Sequence, residues 1–117
     1  MLATIGDSGT HANLWDGISF QLLVKVFTPN SQIKLLKWAS NNVELIVGCQ
    51  EGKVKVYGIE RKPDVVSAYF LREQSFMHKH LMDFTASPNL KFLYSVGRDQ
   101  FLKVWDYEFT LKGPGSN

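Results

Sequence analysis

Residues 6–9 read Gly-Asp-Ser-Gly, the stretch that surrounds the nucleophilic serine in one class of serine proteases. A serine becomes a nucleophile only when a histidine base, itself oriented by a carboxylate, lies within hydrogen-bond reach. In proteases with this stretch those partners lie upstream, and here five residues precede Gly6. The chain is also too short for the two six-stranded barrels that such a site requires. The same four residues suit a tight turn, where Asp caps local backbone N–H groups and Gly accepts a positive φ. Ser8 is therefore expected in a turn and not at a catalytic centre.

Two other groupings could carry chemistry. His78-Lys79-His80 spaces two imidazoles so that a strand would point both to one side, as a zinc site needs, but no third ligand stands nearby. Cys49 has no histidine close in sequence and reads as a small buried residue. A glycine-rich phosphate loop is absent from the sequence. No enzymatic activity, cofactor or metal is expected.

The elements that position these residues follow from the pattern of the chain. Its 117 residues allow about one domain, and 44% hydrophobic with 21% charged residues is the balance of a chain that buries a core. A formal charge of +2 is too small to imply nucleic acid or an anionic membrane. No apolar run approaches the roughly 20 residues that span a bilayer. The lone cysteine and the absence of a secretory leader pattern at Met1–Asp7 point to a reducing compartment, the cytoplasm or alternatively the nucleus.

Three segments repeat one another: HANLWDG at 11–17, KVKVYGI at 53–59 and LKVWDYE at 102–108. In each, apolar and polar residues alternate before an aromatic, which is the mark of a half-buried strand. Residues 38–51 overlay 86–99 without a gap at an offset of 48. Trp15 to Tyr57 spans 42 residues and Tyr57 to Trp105 spans 48, so six extra residues are expected between 58 and 80.

These spacings, with Trp15-Asp16, Trp105-Asp106 and the Ser-Pro-Asn and Gly-Arg-Asp turns of 87–106, make the chain resemble the WD-repeat β-propeller family along nearly its whole length. The resemblance implies an all-β fold of four-stranded antiparallel blades in an incomplete ring. A partial first blade is expected at 1–27, a second at 28–72 and a third at 73–112, with a flexible tail at 113–117. Within them, strands are expected near 2–6, 11–16 and 18–27; near 33–40, 43–48, 53–58 and 65–72; and near 80–86, 91–97 and 102–107, with an outermost strand beginning in 108–112. Propellers have roughly 4–8 blades, so the chain is expected to be a fragment of a larger propeller or to associate with other copies.

The resemblance also implies a structural network in the third blade. His78 or His80 would bond the turn aspartate Asp99, which would anchor Ser95 and the Trp105 indole N–H. The second blade has Glu51, Tyr57 and Val47 at these places and is expected to lack the network; in the first, the longer spacing from Asp7 to Trp15 leaves it open. Trp38 reads as core. Lys53 and Lys55 with Arg61 and Lys62 form a modest basic patch, expected to be solvated surface and not an RNA track.

By resemblance the function is that of a non-enzymatic scaffold for a protein partner, with an RNA-binding or RNA-processing propeller subunit as the alternative. The expected binding surface is the face of the second-to-third-strand turns: Gln50, Glu51, Arg98, Gln100 and Lys79, with Phe76. Arg98, held outward by a rigid turn, suits an acidic or phosphorylated segment of the partner.

Overall fold

The computed structural model describes residues 1–28, 31–75, 78, 80–109 and 111–113. Phe76 and Lys79, both expected at the binding surface, lie outside these residues, as do 114–117 of the expected tail. Gly113, expected to begin that tail, instead ends a strand.

Eleven strands form among the described residues. They are β1 (Leu2–Ile5), β2 (His11–Trp15), β3 (Leu22–Phe27), β4 (Ile33–Trp38), β5 (Glu44–Cys49), β6 (Val54–Arg61), β7 (Val66–Gln74), β8 (Leu81–Ala86), β9 (Phe92–Gly97), β10 (Leu102–Asp106) and β11 (Leu111–Gly113). They pair into three antiparallel sheets: β1-β2-β3, β4-β5-β6-β7 and β8-β9-β10-β11. The chain steps from each strand to its neighbour, so every pairing is a hairpin. The six extra residues of the middle unit lengthen the β6–β7 hairpin, in which β6 continues four residues past Tyr57 while β2 stops at Trp15.

The repeat written in the sequence is also written in the backbone. β4 and β8 each carry a bulge at its start, at Lys34 and Met82, 48 residues apart. The outer strands β3 and β7 each carry an extra residue, Leu23 and Leu71, opposite the aromatic position. The equivalent turns β1–β2, β5–β6 and β9–β10 place Gly9, Gly52 and Gln100 at positive φ.

Side-chain alternation explains the stacking. On β2, Ala12 and Leu14 are fully buried while His11, Asn13 and Trp15 are half-buried. The middle sheet is covered on both faces, and Leu45–Cys49 is accordingly a continuous apolar run without alternation. One cluster, around Leu14, Leu45, Val47 and Tyr57, joins the first sheet to the second. Another, around Ile46, Val56, Phe84, Leu93 and Trp105, joins the second to the third. Fully buried side chains of this size each contribute about 1.5–3 kcal/mol. Trp38, expected in the core, is partly buried against the first cluster.

Glycine permits the closest approach between sheets. A Cβ on Gly52 would lie 1.6 Å from the His78 carbonyl oxygen, and one on Gly48 would lie 2.7 Å from the Phe84 ring. The second sheet's turn therefore nests directly on the backbone that leads into β8.

Candidate interaction site

The third sheet brings His78, Ser95, Asp99 and Trp105 together. His78 Nδ1 lies 2.9 Å from both carboxylate oxygens of Asp99, its Nε2 lies 2.8 Å from Ser95 Oγ, and the Trp105 indole N–H donates to that same oxygen at 2.9 Å. His78, not His80, occupies this place. The wiring differs from the expected one in one respect: the indole is anchored by the Ser95 hydroxyl and not by the carboxylate. The register brings this about, because Ser95 on β9 sits two residues past the partner of Trp105, within reach of its indole N–H. Asp99 is only partly buried, and its donors are the imidazole and the Phe101 N–H at 3.2 Å. Burial pushes its carboxyl upward, but the bonds from His78 and Phe101 outweigh that and hold it below the usual carboxylate range.

Both nitrogens of His78 are engaged within this network. Among the described residues no group of three His, Cys, Asp or Glu side chains could hold a metal. Cys49 is fully buried, and burial first of all, with Glu51 nearby, pushes its thiol up to about 11.

The first sheet keeps half of this network, a feature the sequence spacing concealed. Trp15 donates to Thr4 Oγ1 at 2.8 Å, and Thr4 bears the same register to Trp15 as Ser95 does to Trp105. A histidine ring again covers the glycine two residues on: His11 lies over Gly6 as His78 lies over Gly97. Counting from that glycine to the positive-φ residue makes Ser8, not Asp7, the equivalent of Asp99. Ser8 thus stands in the turn, with its hydroxyl 2.9 Å from Thr10 Oγ1 and 3.4 Å from His11 Nδ1. No carboxylate orients that imidazole among the described hydrogen bonds. In the second sheet Glu51 is exposed, Val47 is buried and has no hydroxyl, and Tyr57 has no ring N–H to donate.

The turns between second and third strands all lie at one end of the stack. There Gln50, Glu51, Arg98 and Gln100 are exposed. The Arg98 N–H is bound to the His80 carbonyl at 2.9 Å, and the Gln50 N–H to the Gln32 carbonyl at 2.8 Å, the same bond one repeat earlier. Gln50 and Arg98 share a cleft of about 490 Å³ between the second and third sheets with Lys34 and His80. Lys34 was not singled out in the sequence, and His80 was considered there only beside His78; the stacking of two sheets is what brings both to Arg98.

The basic patch expected from Lys53, Lys55, Arg61 and Lys62 does not exist as one surface. Lys53 and Arg61 flank opposite ends of β6, Lys55 is buried, Arg61 pairs with Asp16 at 2.9 Å, and Lys62 pairs with Glu60 at 3.4 Å. A further cluster escaped the sequence altogether. Arg72 stacks 4.4 Å from the Tyr107 ring centre and donates to the Tyr107 carbonyl at 2.7 Å, while the Tyr107 hydroxyl donates to Glu44 at 2.7 Å. Burial, then the Glu44 carboxylate, drives the Tyr107 hydroxyl well above its usual range. This cluster latches the second sheet to the third at the end opposite the turns.

Among solved structures, the chain is similar to the β-propeller domain of Cps50 (Swd1) from Myceliophteria thermophila, with a TM-score of 0.70 at 14% sequence identity. The fold is that of a β-propeller segment. The match covers 97% of this chain and 41% of that one, so the chain spans about two fifths of the propeller it resembles. No family model matches the sequence, and no curated protein sequence does. No helix among the described residues is long and apolar enough to cross a membrane.

Proposed function

We propose that the chain is a non-enzymatic interaction scaffold, a propeller segment whose blades present Gln50, Glu51, Arg98 and Gln100 to an acidic segment of a partner protein. The lone cysteine suits a reducing compartment such as the cytoplasm. The likeness to a propeller supports a scaffold at the level of fold. The placement of the surface rests on one observation, the fixing of Arg98. Its own N–H is tied to His80, and the carboxylate of the next residue is tied to the buried His78. A guanidinium on so constrained a backbone loses little freedom when it forms a two-pronged bond to a carboxylate.

Capture from lysate tests this placement through two charge reversals. Lys62 lies at the opposite end of the stack, in the β6–β7 hairpin. Arg98→Glu is expected to lose the partner while Lys62→Glu retains it. Loss with Lys62→Glu alone would put the surface at the wrong end.

A further inference from the structure

The cleft between the second and third sheets has the chemistry of an anion site. Lys34, Gln50, His80 and Arg98 form its polar rim, and Leu35, Leu81 and Met82 form its wall. Among the described residues no carboxylate lines it. The ion pairs among the described residues engage other cations and leave Lys34 and Arg98 out. Lys34 is the extra residue of the bulge in β4, between the pairs Ile33–Cys49 and Leu35–Gly48. A bulge redirects the side chain of its extra residue and is common beside functional sites. Arg98 comes from the other sheet on a turn fixed at both ends. Two positive groups thus reach one cavity from two sheets whose spacing is set by the Gly52–His78 and Gly48–Phe84 contacts.

We infer that this cleft binds a phosphorylated side chain of a partner protein, with a neighbouring apolar residue lying against Leu35 and Met82. The inference rests on the scaffold reading and names the chemistry its surface accepts. A single guanidinium fork satisfies both oxygens of a carboxylate. Here a second cation, an amide and an imidazole surround the same space, and this donor set matches the three terminal oxygens and near-double charge of a phosphate monoester. Nucleic acid fits less well. Among the described residues no Phe, Tyr or Trp side chain lines the cleft for a base to stack on, and two cations neutralise too few phosphates.

Fluorescence anisotropy on the full chain tests it, with a labelled degenerate peptide pool carrying a fixed central phosphoserine. The pool is expected to bind saturably and at least about tenfold more tightly than its unphosphorylated counterpart. Lys34→Glu and Arg98→Glu should each weaken it by about tenfold, and Lys62→Glu should leave it unchanged. Thermal melts establish that each variant is folded; where a glutamate variant is not, Lys34→Gln or Arg98→Gln replaces it. Equal binding of the two pools, indifference to Lys34, or stronger competition by a single-stranded RNA than by unlabelled phosphopeptide overturns the inference. Partner capture separates the two readings. Arg98-dependent capture without phosphopeptide binding removes the phosphate and leaves the surface, whereas capture indifferent to Arg98 removes the surface itself.

Discussion

Ser95 serves two aromatic nitrogens with one oxygen. The indole can only donate, so Ser95 Oγ accepts from Trp105, and the Asp99 carboxylate can only accept, so His78 Nδ1–H donates to it; His78 Nε2 completes the row against Ser95 Oγ. Asp99→Ala leaves the buried Nδ1–H without its acceptor and is expected to cost about 1–3 kcal/mol by urea denaturation at neutral pH. Glu51→Ala, at an exposed position without such partners, should cost within about 0.5 kcal/mol. The pH dependence has a definite sign. The folded carboxyl of Asp99 is held below the value of about 3.9 it has in an unfolded chain, so its contribution is present above that value and is lost as pH falls through the lower, folded one. The gap between the native chain and Asp99→Ala should therefore narrow below about pH 4. Equal losses at Asp99 and Glu51 would mean the network contributes nothing. Ser95, Asp99 and Trp105 could be picked out only through the resemblance of 87–106 to a WD repeat, since the overlaid repeat has Val47, Glu51 and Tyr57 at these places. The choice between two histidines two residues apart was not legible, since a strand lead-in has no fixed period.

The elements divide along the same line. Strand positions could be read from alternation and spacing, and β5, β9 and β10 lie where the repeat puts them. Contacts between sheets could not, because the residues that make them are far apart in the chain: Glu44 and Tyr107 are joined across 63 positions, and Arg72 and Tyr107 across 35. The exchange of Ser8 for Asp7 in the first turn had a local cause. One extra residue there, with the Gly6 N–H reaching His11 where Cys49 reaches Lys53, shifted the count from the aspartate. The turns also show which glycines bear on assembly. Gly52 has φ +92° and no room for a Cβ beside the His78 backbone, whereas Gly9, at +76°, faces the movable Gln32 side chain at 3.3 Å. Thermal melts of the two alanine variants should separate them. Gly52→Ala is expected to cost more than about 2 kcal/mol, and Gly9→Ala about 1 kcal/mol from its backbone alone. Similar losses would mean that the second turn does not nest on the third sheet.

At the scale of the whole molecule, the internal interfaces describe the faces left bare. Ile46, Val54 and Val56 are buried against the third sheet; one repeat on, Tyr94, Leu102 and Val104 lie on the third sheet's far side, where Leu102 is 47% exposed and the nearby Val96 39%. At the opposite end of the stack Trp15 and Thr4 repeat the buried pair Trp105 and Ser95, beside a Leu2 that is 52% exposed. Each bare face is therefore made like the complement of the other, and apolar faces of this kind drive association. Sedimentation velocity at micromolar concentration tests the propeller-segment account most directly. The native chain is expected to sediment as an associated species, and Leu102→Glu, which places a charge on one bare face, should shift it toward monomer. A native chain that remains a compact, cooperatively unfolding monomer would contradict the account.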